Sequence, residues 1–139
     1  NLIRKCWTDF GVDVRFESFD PMHRKPDSRF CCCHGAIGRI RYPDAPDGAK
    51  KIEGVILYLK SALTGSEWPD IRQYADAHKD FPHETTADQF FDENQFEAYR
   101  HLGYYVAANA VGVLKAHCGA DPRSLSIGEL CARLLPRTD

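Results

Sequence analysis

The stretch from Phe81 to Gly103, FPHETTADQFFDENQFEAYRHLG, restricts what the rest of the chain can be more than any other. Pro82 cannot continue a helix arriving from its N-terminal side and biases Phe81 towards extended backbone, so a preceding helix must end there. Thr85 followed by Asp88, and Thr86 followed by Gln89, each place a polar side chain three residues after a capping hydroxyl, which predicts a short helix opening near Ala87. Asp92 with Gln95 repeats that spacing. Beyond it Phe96, Tyr99, Gly103, Val106, Ala110 and Val113 recur at intervals of three and four. That is the apolar face of a helix of roughly 20 residues, with Phe96 and Tyr99 beginning its buried stripe.

Around this stretch the chain alternates between two periods. Leu2, Ile3, Cys6, Trp7 and Phe10 give a short amphipathic helix that Gly11 is placed to end. Val12, Val14 and Phe16 alternate with Asp13, Arg15 and Glu17, the pattern of a half-buried strand. Pro21 and Pro26 lie in a polar loop. From Cys33 the run CHGAIGRIRY sets Ile40 and Tyr42 against Arg39 and Arg41 as a second strand. Gly54 to Lys60 is a third, expected to pair antiparallel with the second across a hairpin whose loop and flanks span Pro43 to Glu53. Trp68-Pro69 opens a helix carrying Ile71, Tyr74, Ala75 and His78 inward. Gly119 to Pro122 breaks the long helix, and a last one starts at Ser126, where Glu129 completes a capping box, and stops at Pro136. The expected fold class is α+β: a small antiparallel sheet of about three strands with one hairpin, packed against four to five helices. Residues 1–66 would hold a helix and the strands, and 67–139 the helical part, of a single domain or domain fragment.

The charge pattern removes whole classes of partner. A net charge of −2 with both signs interspersed leaves no electrostatic footprint for nucleic acid and no polybasic patch for anionic lipid. The longest apolar runs, Gly54 to Leu59 and Val106 to Leu114, fall far short of the roughly 20 residues that span a bilayer, and no signal peptide is recognisable. Of the six cysteines three are consecutive, Cys31, Cys32 and Cys33, while Cys6, Cys118 and Cys131 lie on helical patterns or their ends. That spacing does not make a secreted disulfide framework, and free thiols in a reducing cytoplasm are expected.

The stretch FPHETTADQFFDENQFEAYRHLG resembles the C-terminal region of large bacterial patatin-like phospholipase proteins. NLIRKCWTDFGVDV (Asn1 to Val14), HGAIGRIRY (His34 to Tyr42) and VILYLKSALTG (Val55 to Gly65) are similar, in the same order, to segments that follow the catalytic core in those proteins. The resemblance implies a C-terminal, non-catalytic structural portion of a larger α/β lipid acyl hydrolase. Such enzymes use a Ser-Asp dyad, with the serine in a Gly-x-Ser-x-Gly elbow and the aspartate in a later Asp-Gly-Gly or Asp-Gly-Ala motif. The elbow is absent from this sequence. The implied partners are the remainder of that protein and, through it, a lipid substrate, and the implied location is the cytoplasm, peripheral to a membrane through the parent. The helical pattern already runs at Asn1, which also fits a fragment.

Five groups of residues invite a chemical reading, and each has a structural one beside it. Cys31, Cys32, Cys33 and His34 are zinc-ligand types, but adjacent residues on extended chain point to opposite faces and no second ligand pair closes a tetrahedral site. Buried or partly buried cysteines entering a strand are expected, and no metal. His83 and Glu84, with Asp88, Asp92 and Glu93 nearby, could form an acid and base, yet Asp88 and Asp92 stand where helix caps belong. Asp47-Gly48-Ala49 matches the Asp-Gly-Ala form, but in a proline-bracketed loop where Asp-Gly is an ordinary turn dipeptide. Ser66 follows Gly65 without the second glycine of an elbow and reads as a helix cap. The aromatics Trp68, Tyr74, Phe81, Phe90, Phe91, Phe96, Tyr99, Tyr104 and Tyr105 could line a lipid groove, with core packing preferred and Phe90 and Tyr104 left exposed. No catalytic residue and no cofactor is therefore expected in this chain. The alternative reading is a non-enzymatic module that binds a protein through its exposed aromatics or its hairpin edge.

Overall fold

The structure is a computed structural model, and it describes residues 1–44, 52–85, 87, 90–119 and 124–134. In chain order these form α1 (Leu2–Phe10), β1 (Asp13–Phe16), a 3-10 turn at Asp20–Met22, β2 (Gly35–Arg41), β3 (Glu53–Leu59), α2 (Pro69–Ala77), α3 (Glu93–Cys118) and α4 (Ile127–Leu134). This is the expected small α+β fold with a three-stranded antiparallel sheet. The chain divides into two compact units, one of Asn1–Phe19, Ala36–Tyr58 and Val113–Asp139, the other of Asp20–Gly35 and Leu59–Gly112.

In the first unit Gly11 takes the left-handed conformation, φ 66 and ψ 16, and the Gly11 and Val12 amides donate to the Trp7 and Cys6 carbonyls. This Schellman-type end turns the chain straight into β1. The strand order is β1-β2-β3, with Asp13 opposite Arg41 and Phe16 opposite Gly38 in an antiparallel register. The hairpin is antiparallel too: Tyr42 donates to the Ile52 carbonyl at one end of the pair, and Lys60 to the His34 carbonyl at the other. Gly38 stands at the tightest point of the sheet. A Cβ there would lie 2.8 Å from the Arg15 carbonyl oxygen and 2.9 Å from Ile56 and Phe16 side-chain carbons. Phe16, Phe19 and Tyr58 pack together beside it, with ring centroids 4.6 to 6.5 Å apart. Glu53 spans two cations on the neighbouring strand, Arg39 at 2.9 Å and Arg41 at 3.2 Å. At the far end of this unit, Ser126 and Glu129 form the expected capping box. Glu129 Oε2 accepts from the Ser126 amide at 2.9 Å, and the Ser126 hydroxyl accepts from the Glu129 amide at 3.3 Å.

The core of the second unit is Leu63, Ile71, Ala75, Phe81, Ala98, Leu102 and Val106, with Tyr74, Tyr99 and Tyr105 packed against it. Trp68 is the N-cap of α2 and Pro69 its first residue, and the helix ends at Ala77, before Phe81-Pro82, as expected. His78 is a correction: it lies exposed beyond the helix end, stacked on Tyr74 at 4.0 Å. The buried face of α3 is a second correction. Of the expected face Val106 is buried and Tyr99 packs against the core, but Phe96, at 60%, Gly103 and Val113 are exposed, and Ala98 and Leu102 are buried in their place, with Gln95 beside them. The stripe is turned by about one residue from the expected one, because Leu102 and Ala98 fit against α2 where Phe96 would point outwards. The short helix expected near Ala87 does not appear at that residue, which is in a turn with its amide donating to the Thr85 hydroxyl at 3.2 Å. Thr86, Asp88 and Gln89, which were to build it, lie outside the described residues.

The Asp92 cap is as expected, its Oδ1 accepting from the Gln95 amide at 2.7 Å. Asp92→Ala should therefore lower stability by about 1 kcal/mol, read from urea unfolding, and an unchanged midpoint would show that the cap contributes nothing.

Candidate functional site

Between β3 and α2 the segment Thr64-Gly65-Ser66-Glu67 folds back on itself. Gly65 takes φ 90, a conformation that favours glycine, and this aims two successive amides at one carboxylate. Glu67 Oε1 accepts from the Thr64 amide at 2.6 Å and the Thr64 hydroxyl at 2.8 Å, and Oε2 from the Gly65 amide at 2.9 Å. Its side chain is fully buried. Burial is the largest influence on this carboxyl and raises its pKa. The Thr64 amide and hydroxyl, its own amide and the Gly65 amide together outweigh that and hold it below the ordinary value.

His34, just before β2, reaches the same segment. Its Nε2 is 3.4 Å from the Thr64 hydroxyl and 3.7 Å from Glu67 Oε1, and its ring meets Tyr105 edge-on at 5.7 Å. Burial lowers its pKa more than Glu67 and the Ala62 backbone raise it, so the imidazole is neutral at neutral pH. Nδ1 is buried and makes no hydrogen bond of ordinary geometry.

The hydroxyl protons decide what this cluster can do. Tyr105 donates to the Ser66 carbonyl at 2.9 Å, and Thr64 donates to Glu67. Ser66 then donates to one of its two hydroxyl neighbours, Thr64 at 2.9 Å or Tyr105 at 3.0 Å. His34 meets Thr64, not Ser66, so among the described residues no base is placed to take the serine proton. The arrangement ties the 64–67 turn to the start of β2 and to α3. Ser66 is not the helix cap expected of it, since Trp68 holds that position without a side-chain bond.

The other expected groups are dispersed. Cys31 is buried, its thiol donating to the Cys33 and Leu63 carbonyls, and burial raises its pKa. Cys33 is half-buried, but Cys32 is exposed, which corrects the expectation that the whole trio is covered. The turn that puts both the Cys32 and Cys33 amides on the Pro21 carbonyl leaves the Cys32 side chain outside. Among the described residues no group of three or more His, Cys, Asp or Glu side chains could hold a metal ion. Glu84 faces Gln95 at 2.7 Å and the Tyr99 hydroxyl rather than His83, and burial followed by Glu84 pushes Tyr99 up to about 12. Glu93 is in the first turn of α3. Asp47 to Ala49 lie outside the described residues. Of the aromatics, Phe81, Tyr74, Tyr99 and Tyr105 lie in or against the core and Phe90 and Tyr104 are exposed, as expected, whereas Trp68, Phe91 and Phe96 are corrections, exposed where core packing was expected because the core between α2 and α3 is filled by smaller side chains.

Two polar pairings were missed in the sequence. Thr64 and Glu67 have the Thr-x-x-Glu spacing of a capping box, so a signal for them existed. His101 Nδ1 lies 2.5 Å from Asp70 Oδ2, and its hydrogen bond is the first cause of the lowered Asp70 pKa. These residues are 31 positions apart and carry no local signal. No family model, no curated protein and no solved structure matches the chain.

Proposed function

We propose that this chain is a non-catalytic structural portion of a patatin-like lipid acyl hydrolase, whose serine and aspartate lie in another part of the same protein. The resemblance of FPHETTADQFFDENQFEAYRHLG to that family supports the reading. The observation that carries its non-catalytic part is the committed hydroxyl network, in which Ser66, close to buried His34 and Glu67, meets no base among the described residues. The outer face of α3 favours a docked role. Opposite the core it presents Phe96, Gly103, Tyr104, Ala107 and Val111, with Arg100 the charged residue among them, and a helix apolar on both faces is one that packs on both. In the parent, a serine would attack the ester carbonyl with the aspartate as base, and oxyanion donors would stabilise the tetrahedral intermediate.

A non-enzymatic protein-binding module is the second reading, favoured by β3. It is an edge strand of the described sheet and leaves Leu57, Tyr58 and Leu59 exposed.

The 139-residue chain should release no product from short acyl esters. Turnover that disappears in Ser66→Ala would overturn the non-catalytic assignment. The two readings separate on the gene product that carries this chain: a Gly-x-Ser-x-Gly and a later Asp-Gly-Gly or Asp-Gly-Ala on its N-terminal side support the first, and their absence overturns it.

A further inference from the structure

The register of the hairpin fixes which backbone groups of β3 turn away from the sheet. Tyr42 donates to the Ile52 carbonyl and Lys60 to the His34 carbonyl, and the two contacts are equally far apart on both strands, so the pairing between them has no bulge. Hydrogen-bonded positions alternate along an antiparallel strand. Gly54, Ile56 and Tyr58 therefore aim their amides and carbonyls at β2, while Glu53, Val55, Leu57 and Leu59 aim theirs outwards. Among the described residues no backbone hydrogen bond reaches that outer row.

The side chains on this margin suit a covered strand better than an exposed one. Arg15, Arg39, Arg41 and Glu53 mark one face of the sheet as polar, and Val55, Leu57 and Leu59 share that face. Leu57 and Leu59 are 41% and 39% exposed there, and Tyr58 is 44% exposed on the other face. Edge strands that stay single carry a charge, a proline or a bulge that blocks further pairing. From Gly54 to Leu59 this edge has no charge and no proline. Its one acidic residue, Glu53, is held by Arg39 and Arg41 on β2.

We propose that β3 pairs antiparallel with β3 of a second copy of this chain, which continues the described sheet across a two-fold axis at Ile56. This deepens the protein-binding reading of β3, on which it rests, by naming the partner. An axis normal to the sheet keeps like faces together, and centring it on Ile56 pairs all seven residues of the strand. Glu53 then meets Leu59 of the other copy, Gly54 meets Tyr58, and Val55 meets Leu57. The outward row of each copy supplies the hydrogen-bonded pairs, as an antiparallel ladder requires. No like charges are opposed, Val55 and Leu57 cover each other, and the Tyr58 ring crosses Gly54, where no side chain competes for the space. The edge is complementary to itself, whereas a charged segment would find no counter-charge along it.

The test joins sedimentation equilibrium of the 139-residue chain to amide hydrogen exchange. A reversible dimer is expected, with exchange at Val55 and Leu57 slowing as concentration rises and Ile56 and Tyr58 protected throughout. Leu57→Pro removes one outward N–H and leaves the ladder to β2 whole. Symmetry makes that two hydrogen bonds per dimer, so dimerisation should weaken at least about tenfold. Leu57→Lys puts two like charges on one face across the axis and should weaken it too, which keeps the result readable if the proline variant fails to fold. A chain that stays monomeric at millimolar concentration overturns the self-pairing. If Val55 and Leu57 exchange freely in that monomer, β3 remains an open edge for another protein; if they are protected, the edge is covered and the protein-binding reading falls as well. A dimer that both variants retain uses another surface and also overturns the proposal.

Discussion

Phe81→Ala should destabilise the chain by about 3–5 kcal/mol, while Phe96→Ala should change its stability by less than about 1 kcal/mol. Phe81 is 1% exposed and meets Tyr74 and Tyr99 edge-on at 5.1 and 4.9 Å. Truncation removes its transfer free energy and leaves a cavity that Ile71 and Leu102, themselves fully buried, hold open. Phe96, 60% exposed, gives up only the minor part of its surface that is covered and leaves no enclosed cavity. Against a total stability of about 5–15 kcal/mol, the first substitution is a large fraction and the second is not. Urea unfolding of both variants decides the matter. Equal losses, or a larger loss at Phe96, would mean that α3 buries the Phe96 face after all.

The second large effect should come from Glu67→Ala, with a loss of about 3 kcal/mol. The substitution leaves the Thr64 and Gly65 amides and the Thr64 hydroxyl without their acceptor, and unpaired buried donors cost about 1–3 kcal/mol each before relaxation. The same cluster sets an acid response. The folded chain binds protons less readily than the unfolded chain at both His34 and Glu67, so the unfolded state takes up more protons as pH falls and stability drops with it. The His34 contribution is intact above its ordinary value of 6.5 and is lost as pH falls below it, and that of Glu67 follows below 4.5. Unfolding free energies measured at pH 7.5, 6 and 5 should therefore decline less in His34→Gln than in the parent chain. His83 shifts in the same direction, so His83→Gln serves as the comparison. An unchanged pH slope in His34→Gln would show that the buried imidazole is not the source.

How much was readable in the sequence depended on how local the cause was. The Gly11 stop, the Pro69 start, the Asp92 cap and the Ser126–Glu129 box each rest on residues within a few positions of one another, and each is where the pattern placed it. The strands followed from period-two alternation and the hairpin from its loop. The face of α3 did not. Phe96, Tyr99, Gly103 and Val106 satisfy helical spacing as well as Ala98, Leu102 and Val106 do, because apolar residues occupy both sides of the helix. Only packing against α2 chooses between them. The candidate site was half legible. His34 and Ser66 were picked out, but for a metal and a nucleophile; Glu67, which takes the Thr64 proton, carried a local Thr-x-x-Glu spacing, while Tyr105 lies 39 positions from Ser66 and has no local signal.

Gly38 also bears on how the sheet tolerates its surroundings. If β1 slipped by one residue along β2, Phe16 would face Ile37 or Arg39 instead of Gly38, and a side chain would stand where the Arg15 carbonyl and the Phe16 ring leave room for a hydrogen atom. The same slip would turn every β1 side chain to the opposite face. The correct pairing is thus selected by the bulk of the wrong ones. Attraction between Glu53 and its two arginines weakens as salt is added, because their charges are partly in solvent. Exclusion by atomic volume has no such dependence, so the β1–β2 alignment should be indifferent to ionic strength even where the ion pairs beside it are not.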